Sequence, residues 1–400
     1  MRQSRQVRTA VVGAGVVGLL TAWQLRITGH TVTIFDPAPG SQASYAAAGM
    51  LAPISEVQYG QQELWPLMTA SRTEYPAFLR NLSRAVDEPT GYRDNGTVLL
   101  AADAGDRAAV AEMVSVQQAH GMHVAPLTSS QLRSREPGLA PRLAKAWDVP
   151  DDHQVDPRQL VRCVSAALDA SLSEQDFPDA GPPARWVPAE VTRVTAETSP
   201  RVEWEAGTES EAGAESFDHV VLVPGLGYSH IAGLPQERPL PLRPVHGDVI
   251  RLRVRPEQLG PGEPHVLTST VRAKVGGRSV YLVPRADGGL VVGASSREDG
   301  LAQTHAGSVQ ELLEDAVAVL PAVRDMQLEE ITTRARPGTP DDRPLLGALT
   351  DDAGVVVSTG YSRHGILLAP LAARLTAALI NGASLNDDDT ALLAAASPDR

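Results

Sequence analysis

The residues best placed to do chemistry form a glycine cluster near the N-terminus, Gly13-x-Gly15-x-x-Gly18. In such a cluster the first glycine permits a tight turn, the second lets backbone approach a pyrophosphate, and the third lets a helix pack close to its strand. The helix that follows then aims its N-terminal N–H groups and the positive end of its dipole at the phosphates. The cluster lies between two β-branched runs and is followed by Asp36, whose carboxylate suits an adenosine ribose. This spacing predicts dinucleotide binding and does not choose between FAD and NAD. Ser41 to Met50 is rich in small residues, which lets backbone come close to something large and flat. His153, His246 and His364 read as polar structural or surface residues rather than general bases, and Cys163 reads as a small core residue on a helix.

Behind these residues lies a strand–turn–helix–strand unit. Thr9 to Val12 is a short strand, Leu19 to Ile27 is helical, Gly29 closes the helix, and Thr31 to Phe35 is the second strand. Helices are expected from Leu64 to about Arg84, from Ala108 to His120, and after Asp156-Pro157, where an acidic N-cap precedes proline at the first helical position. Strands are expected at Gly96–Ala101, Glu190–Val194, Val202–Trp204, His219–Val223, Val249–Val254, Val280–Pro284 and Leu290–Gly293. A helix from Val309 to Leu320, a buried strand at Val355–Ser358 and a helix from Ile366 to Ile380 complete the pattern. Ala170 to Ala184 reads as a surface loop, and the polar tail from Asn381 is expected to fray. Nucleotide-type elements fall at both ends of the chain with strand-rich segments between them. The fold class is therefore α/β, with α+β character in the second domain: a Rossmann-like βαβ domain with an inserted antiparallel-sheet domain. The expected boundaries are 1–85, 150–235 and 335–400 for the first domain, and 86–149 and 236–334 for the second.

The bulk composition fits this reading. Four hundred residues exceed one ordinary core, and 42% hydrophobic with 21% charged is typical of a globular chain. A net charge of −13 gives no support for nucleic acid or anionic membranes as partners. One cysteine allows no intramolecular disulfide, which fits a reducing cytoplasm, and it offers no cysteine-based metal site. Met1 to Arg8 is short and basic, and the glycine-broken run after it reads as strand–turn–helix rather than a signal peptide. No stretch reaches the roughly 18 apolar residues of a membrane span.

Several ordered motifs then narrow the class. Ser41-Gln42-Ala43-Ser44-Tyr45-Ala46-Ala47-Ala48-Gly49-Met50 resembles the segment after the second strand in D-amino-acid-oxidase-like flavoproteins, glycine oxidases in particular. Pro150 to Pro157, the Val280-Tyr281-Leu282-Val283-Pro284-Arg285 hairpin with Val292-Gly293-Ala294, Arg336 to Gly347, and Thr359 to Pro370 resemble the same family in the same order. The likeness runs from about Thr9 to Ile380. It implies noncovalent FAD lying between the two domains, because covalent relatives use a cysteine near the C-terminus and this chain has none there.

By family position, the residues implied to touch FAD are Gly13, Gly15, Val16, Val17, Gly18, Asp36, Pro37, Ala43, Ser44, Ala48, Gly49 and Met50, with Val191 at the adenine and Gly225 in the turn after a strand. Tyr361, Ser362, Arg363, His364, Gly365, Ile366 and Leu367 are implied to wrap the flavin, where a helix N-terminus stabilises negative charge on the reduced ring. Arg336 is the implied carboxylate partner, a guanidinium fork being suited to bidentate recognition. Arg363, Tyr281 and Met50 complete the implied substrate pocket.

The family chemistry needs no protein acid or base. Hydride passes from the α-carbon of a neutral amine to flavin N5, and glyoxylate, ammonia or amine, and hydrogen peroxide result. Small amino acids and O2 are the implied partners, and a homo-oligomer is left open. Where the family has an aromatic residue before Arg363 and an asparagine after it, this chain has Ser362 and His364. The smaller side chain leaves room for an N-substituent. Glycine, sarcosine and longer N-carboxymethyl amines are thus all expected substrates, in thiamine biosynthesis or, as oxidative removal of an N-carboxymethyl unit from a larger amino acid, in secondary metabolism. A D-amino-acid oxidase, an NAD-linked dehydrogenase, a tRNA-modifying flavin domain and a flavin-binding protein without turnover are the alternatives. Visible absorbance and a turnover assay separate them, and the acidic charge counts against tRNA.

Overall fold

Thr9–Phe35 folds as its pattern requires. β1 (Arg8–Val12) runs into the glycine turn, α1 (Val16–Ile27) follows, and β2 (Thr31–Phe35) returns parallel to β1. Apart from Arg8 and Thr31, every β1 and β2 residue is buried, as expected for strands covered on both faces. This computed structural model describes residues 6–195, 199–207, 209–234, 240–259, 265–350 and 354–400. The first five residues of the basic N-terminal stretch lie outside them.

β1 and β2 belong to a six-stranded sheet. Its order is Leu345–Ala348, Val355–Thr359, His219–Leu222, β1, β2, Arg185–Val187. All neighbours are parallel except the antiparallel edge pair Leu345–Ala348 and Val355–Thr359. α1 and the apolar helix α3 (Gly365–Ile380) pack side by side against this sheet, and α2 (Trp65–Ala85) packs against α3. Cys163 is buried in the same core, where desolvation pushes its thiol up to about 11.

The second sheet has eight strands. Their order is Gln327–Gly338, Arg243–Arg253, Gly289–Gly293, Arg278–Pro284, Thr270–Val275, Thr97–Ala101, Lys145–Val149, Ala125–Leu127. Every pair is antiparallel except Thr270–Val275 with Thr97–Ala101. One face carries Val98, Ile250, Val271, Leu282 and Val292 and is covered by the helix Ala306–Val319. Strand alternation sends the intervening residues to the opposite face, toward the first sheet. Gln327–Gly338 is a long strand, and it brings Arg336 onto this sheet.

Two sequence expectations need correction. The helix expected from Ala108 begins at Ala104, because the Asp103 carboxylate accepts the Asp106 N–H and caps it there. The polar tail does not fray. Asn386 caps a helix at Asp387–Ala395, Leu392 and Ala396 enter the first core, and Arg400 binds Asp341.

Candidate active site

A cavity of about 1280 Å³ opens between the two sheets. Its inner wall is the glycine turn. Gly13 has φ +103°, and a Cβ there would collide with the Val223 carbonyl, so only glycine fits. Gly18 does not line the cavity; it sits against the Gly13 carbonyl and lets α1 approach β1. Asp36, at the end of β2, accepts N–H bonds from Ala14 and Ala38, both at 2.7 Å, and so sets the turn's shape. The Ser44 hydroxyl accepts the Val16 N–H at 3.0 Å at the mouth of α1. Gly15, Val16, Val17, Pro37, Ala43, Ala48, Gly49, Val191 and Gly225 also line the wall.

The outer wall is the free face of the eight-stranded sheet. Cross-strand pairing places Arg272 beside Tyr281, Tyr281 beside Gly293, and Gly293 beside Val249. Arg336 stands opposite Val245 on the edge pair. Its guanidinium lies flat on Gly247, and the Tyr281 ring lies on Gly293; a Cβ at either glycine would strike these side chains. Among the described residues Arg336 makes one hydrogen bond, a long 3.4 Å contact to the Ser295 carbonyl. Nearly the whole donor fork is therefore available to a ligand. Burial pushes the Tyr281 phenol up, and the neighbouring Arg336 only partly offsets this, so the hydroxyl stays a donor at neutral pH. Met50, buried in the small cluster with Ala48 and Val249, packs at the side of the cavity.

The third wall is the loop before the helix Gly365–Ile380. Tyr361 is buried, and its hydroxyl shares a 2.6 Å bond with Ser358. Ser362 takes φ +47°, uncommon for a non-glycine residue, and is held there by its N–H bond to the Pro337 carbonyl. Asp342 ties the same loop to Gln61, accepting from Gln61 Nε2 at 2.6 Å and from the Ser362 hydroxyl at 3.3 Å. Arg363 lines the cavity with Nε and one terminal nitrogen buried and unbonded among the described residues; burial lowers its pKa, and Glu56 opposes that. Gly365 and Ile366 open the helix Gly365–Ile380 onto the cavity, and no side chain caps its first turn. Tyr75 and Ser71 of α2 donate to the Ile366 and Leu367 carbonyls and fix that turn. His364 and Leu367 lie behind the wall. His364 is 1% exposed, both ring nitrogens lack partners among the described residues, and burial drives its pKa down to about 4. The imidazole is neutral.

Sequence reasoning left out an ion pair and a buried carboxylate. Glu56 bonds Arg272 at 2.9 Å and lies 3.9 Å from His364. Asp152 is fully buried, accepts the Ile54 and Ser55 N–H groups at 3.2 Å, and is raised by burial to about 6. The motif Pro150 to Pro157 marked the Asp152 segment; nothing local marked Glu56 or Arg272.

These walls fit a dinucleotide carrying a flat ring. A collision-free glycine cradle faces the phosphate end, the Asp36 carboxylate lies beside it, and the unbonded Arg363 donors and an uncapped helix N-terminus face the other end. The chain belongs to the family described as FAD dependent oxidoreductase, whose pattern it matches over residues 8–379. FAD is its cofactor. The glycine oxidase of Geobacillus kaustophilus is 29% identical over 375 residues, covering 93% of this chain and 92% of its own. The crystal structure of a glycine oxidase from the same organism superposes with a TM-score of 0.82 at 28% identity, over 99% of each chain. Bifunctional ThiO/ThiG proteins of Trichormus variabilis and Synechocystis sp. are 30% and 31% identical over 92% and 98% of this chain. The chain spans about half their length, 52% and 53% respectively. Among the described residues no helix is long and apolar enough to cross a membrane.

Proposed function

We propose that the protein oxidises the C–N bond of glycine or of an N-substituted glycine. The observation that carries this reading is Arg336, a guanidinium fork almost free of protein partners, standing in the cavity beside Tyr281 and facing the uncapped helix N-terminus. Arg336 would hold the substrate carboxylate bidentately, and the Tyr281 hydroxyl would donate to it or to the amine. Gly13, Gly15, Val16, Asp36, Ser44 and Gly49 would hold the nucleotide half of FAD, with Val191 and Gly225 at the adenine side. Tyr361 to Ile366 would border the flavin. Bound FAD supplies a two-electron acceptor and the route of those electrons to O2.

The chain's contribution is orientation and exclusion of water, with the α-carbon held close to the ring and the amine neutral. His364 is neutral and set behind the wall, so it serves no proton transfer at the reacting atoms. Overall, an N-substituted glycine R–NH–CH2–COO⁻ with O2 and H2O gives R–NH2, glyoxylate and H2O2. The similar glycine oxidase supports the amino-acid substrate, and the single buried cysteine fits a cytoplasmic protein. Residues 1–85, 150–235 and 335–400 serve as the cofactor unit in this reading, and 86–149 and 236–334 as the substrate unit, with the Arg336 strand joining them. The test is peroxide formation by the purified yellow protein with glycine, sarcosine and longer N-carboxymethyl amines. Turnover confined to bulky D-amino acids overturns the reading.

A further inference from the structure

The cavity continues well past the carboxylate fork. Arg272 and Arg336 both face it, yet their strands are four inter-strand steps apart, about 19 Å at the usual spacing of about 4.8 Å. The strand of Tyr281 lies between theirs, so Arg272 marks the end of the cavity beyond Tyr281 from Arg336. Glycine bound at Arg336 leaves the far end unused.

That far end is built for charge of both signs. Arg272 Nη1 bonds the Glu56 carboxylate at 2.9 Å and touches the Met50 sulfur at 3.6 Å, which leaves the rest of its fork toward the cavity. Lys274 projects from the same strand face, two residues along, and lines the same space. Glu56 is 8% exposed and its second oxygen makes no hydrogen bond to the described residues, only the 3.9 Å approach to His364. At the rim Tyr59 is 55% exposed, an aromatic ring left open to an incoming chain. Two cations and one buried carboxylate side by side match a group that itself carries a carboxylate and an ammonium.

We propose that Arg272, Lys274 and Glu56 form a distal subsite for an N-substituted glycine whose substituent ends in a zwitterionic amino-acid group. The proposal rests on the amine-oxidising reading above. The distal carboxylate lies between Arg272 and Lys274, and the distal ammonium bonds Glu56. The reaction is unchanged: the C–N bond of the N-carboxymethyl arm breaks, glyoxylate leaves, two electrons reach O2, and the amino acid is released as a free primary amine. With neutral substituents Arg272 and Glu56 satisfy each other, so the subsite adds nothing for them.

The test compares Nε-carboxymethyl-lysine, N-butylglycine and N-(3-carboxypropyl)glycine on the holoenzyme. The zwitterionic compound is expected to have kcat/KM at least tenfold above N-butylglycine, the gain lying in KM. In Arg272→Leu that ratio falls to about one, in Glu56→Gln it falls several-fold, and Arg272→Lys recovers part of it. The ratio is internal to each variant, so a change in folded fraction cancels. A readout without turnover is calorimetric binding of 2-amino-6-(carboxymethylthio)hexanoate, in which a thioether replaces the oxidisable amine of the zwitterionic compound, against (butylthio)acetate; the same margin is expected and Arg272→Leu removes it. A wild-type ratio near one, with N-butylglycine and sarcosine turned over well, overturns the subsite and leaves the amine-oxidising reading standing. Equal preference for N-(3-carboxypropyl)glycine overturns the ammonium half. Failure of every N-substituted glycine, with glycine itself inert, overturns both.

Discussion

Arg336→Met offers the sharpest separation of binding from folding. The guanidinium rests on Gly247 and makes one long bond, 3.4 Å, to the Ser295 carbonyl. Truncating it therefore removes little of the fold, and the thermal midpoint is expected to stay close to the parent. The substrate loses two charge-assisted hydrogen bonds, each worth about 1.5–3 kcal/mol. A total of about 3–6 kcal/mol corresponds to a loss of roughly two to four powers of ten in kcat/KM at about 1.4 kcal/mol per tenfold. Arg336→Lys keeps the charge but not the planar fork, and it should fall between the two. The assay is peroxide release against glycine or sarcosine concentration, with flavin absorbance and thermal midpoint as controls. Methionine and lysine variants that retain full colour and turn over small amines within threefold of the parent would refute the argument that Arg336 anchors the carboxylate. A large drop in midpoint would show instead that the fork is structural.

Three further outcomes follow from the same geometry. Gly13→Ala forces a Cβ into the Val223 carbonyl at φ +103°, so the protein should purify with flavin absorbance reduced at least tenfold; full colour would contradict the cradle. Arg26 is 1% exposed and donates to the carbonyls of Ala167, Leu168, Ala170, Gly181 and Pro182. Arg26→Met orphans all five and is expected to cost at least about 3 kcal/mol in urea denaturation, with a shift under 1 kcal/mol counting against it. His364 has its pKa depressed from the usual value near 6.5 to about 4, so the unfolded chain binds more protons between those values. Stability should rise with pH across that window, by up to about 3 kcal/mol, and fall on acidification. Asp152, raised to about 6, acts in the opposite sense in an overlapping window, so the measurement is the difference between parent and His364→Gln at pH 4.5 and 7. Parallel pH profiles for the two would refute the buried neutral imidazole.

The parts of this molecule legible in its sequence are those whose cause is local. Gly13, Gly15 and Gly18 between two β-branched runs can satisfy a strand, a tight turn and a close helix at once, and they do. The Asp156-Pro157 start of a helix is likewise local: the Asp156 carboxylate accepts the Arg158 and Gln159 N–H groups. Failures came where distant contacts decide. The tail from Asn381 looks like solvent-facing chain by composition, yet Leu392 and Ala396 enter a core that includes α1, some 370 residues away in sequence. Arg272 stands on Thr270–Val275, a strand that the sequence pattern does not single out, and nothing near it indicates that its face meets a second sheet. Its partner Glu56 lies 216 residues earlier, in a loop. The cavity's inner wall is thus written in consecutive residues, while its far end exists only once two sheets meet. In the proposed subsite choice among amines rests on that far end, and a sequence reading that finds the cofactor cradle readily is least informed about it.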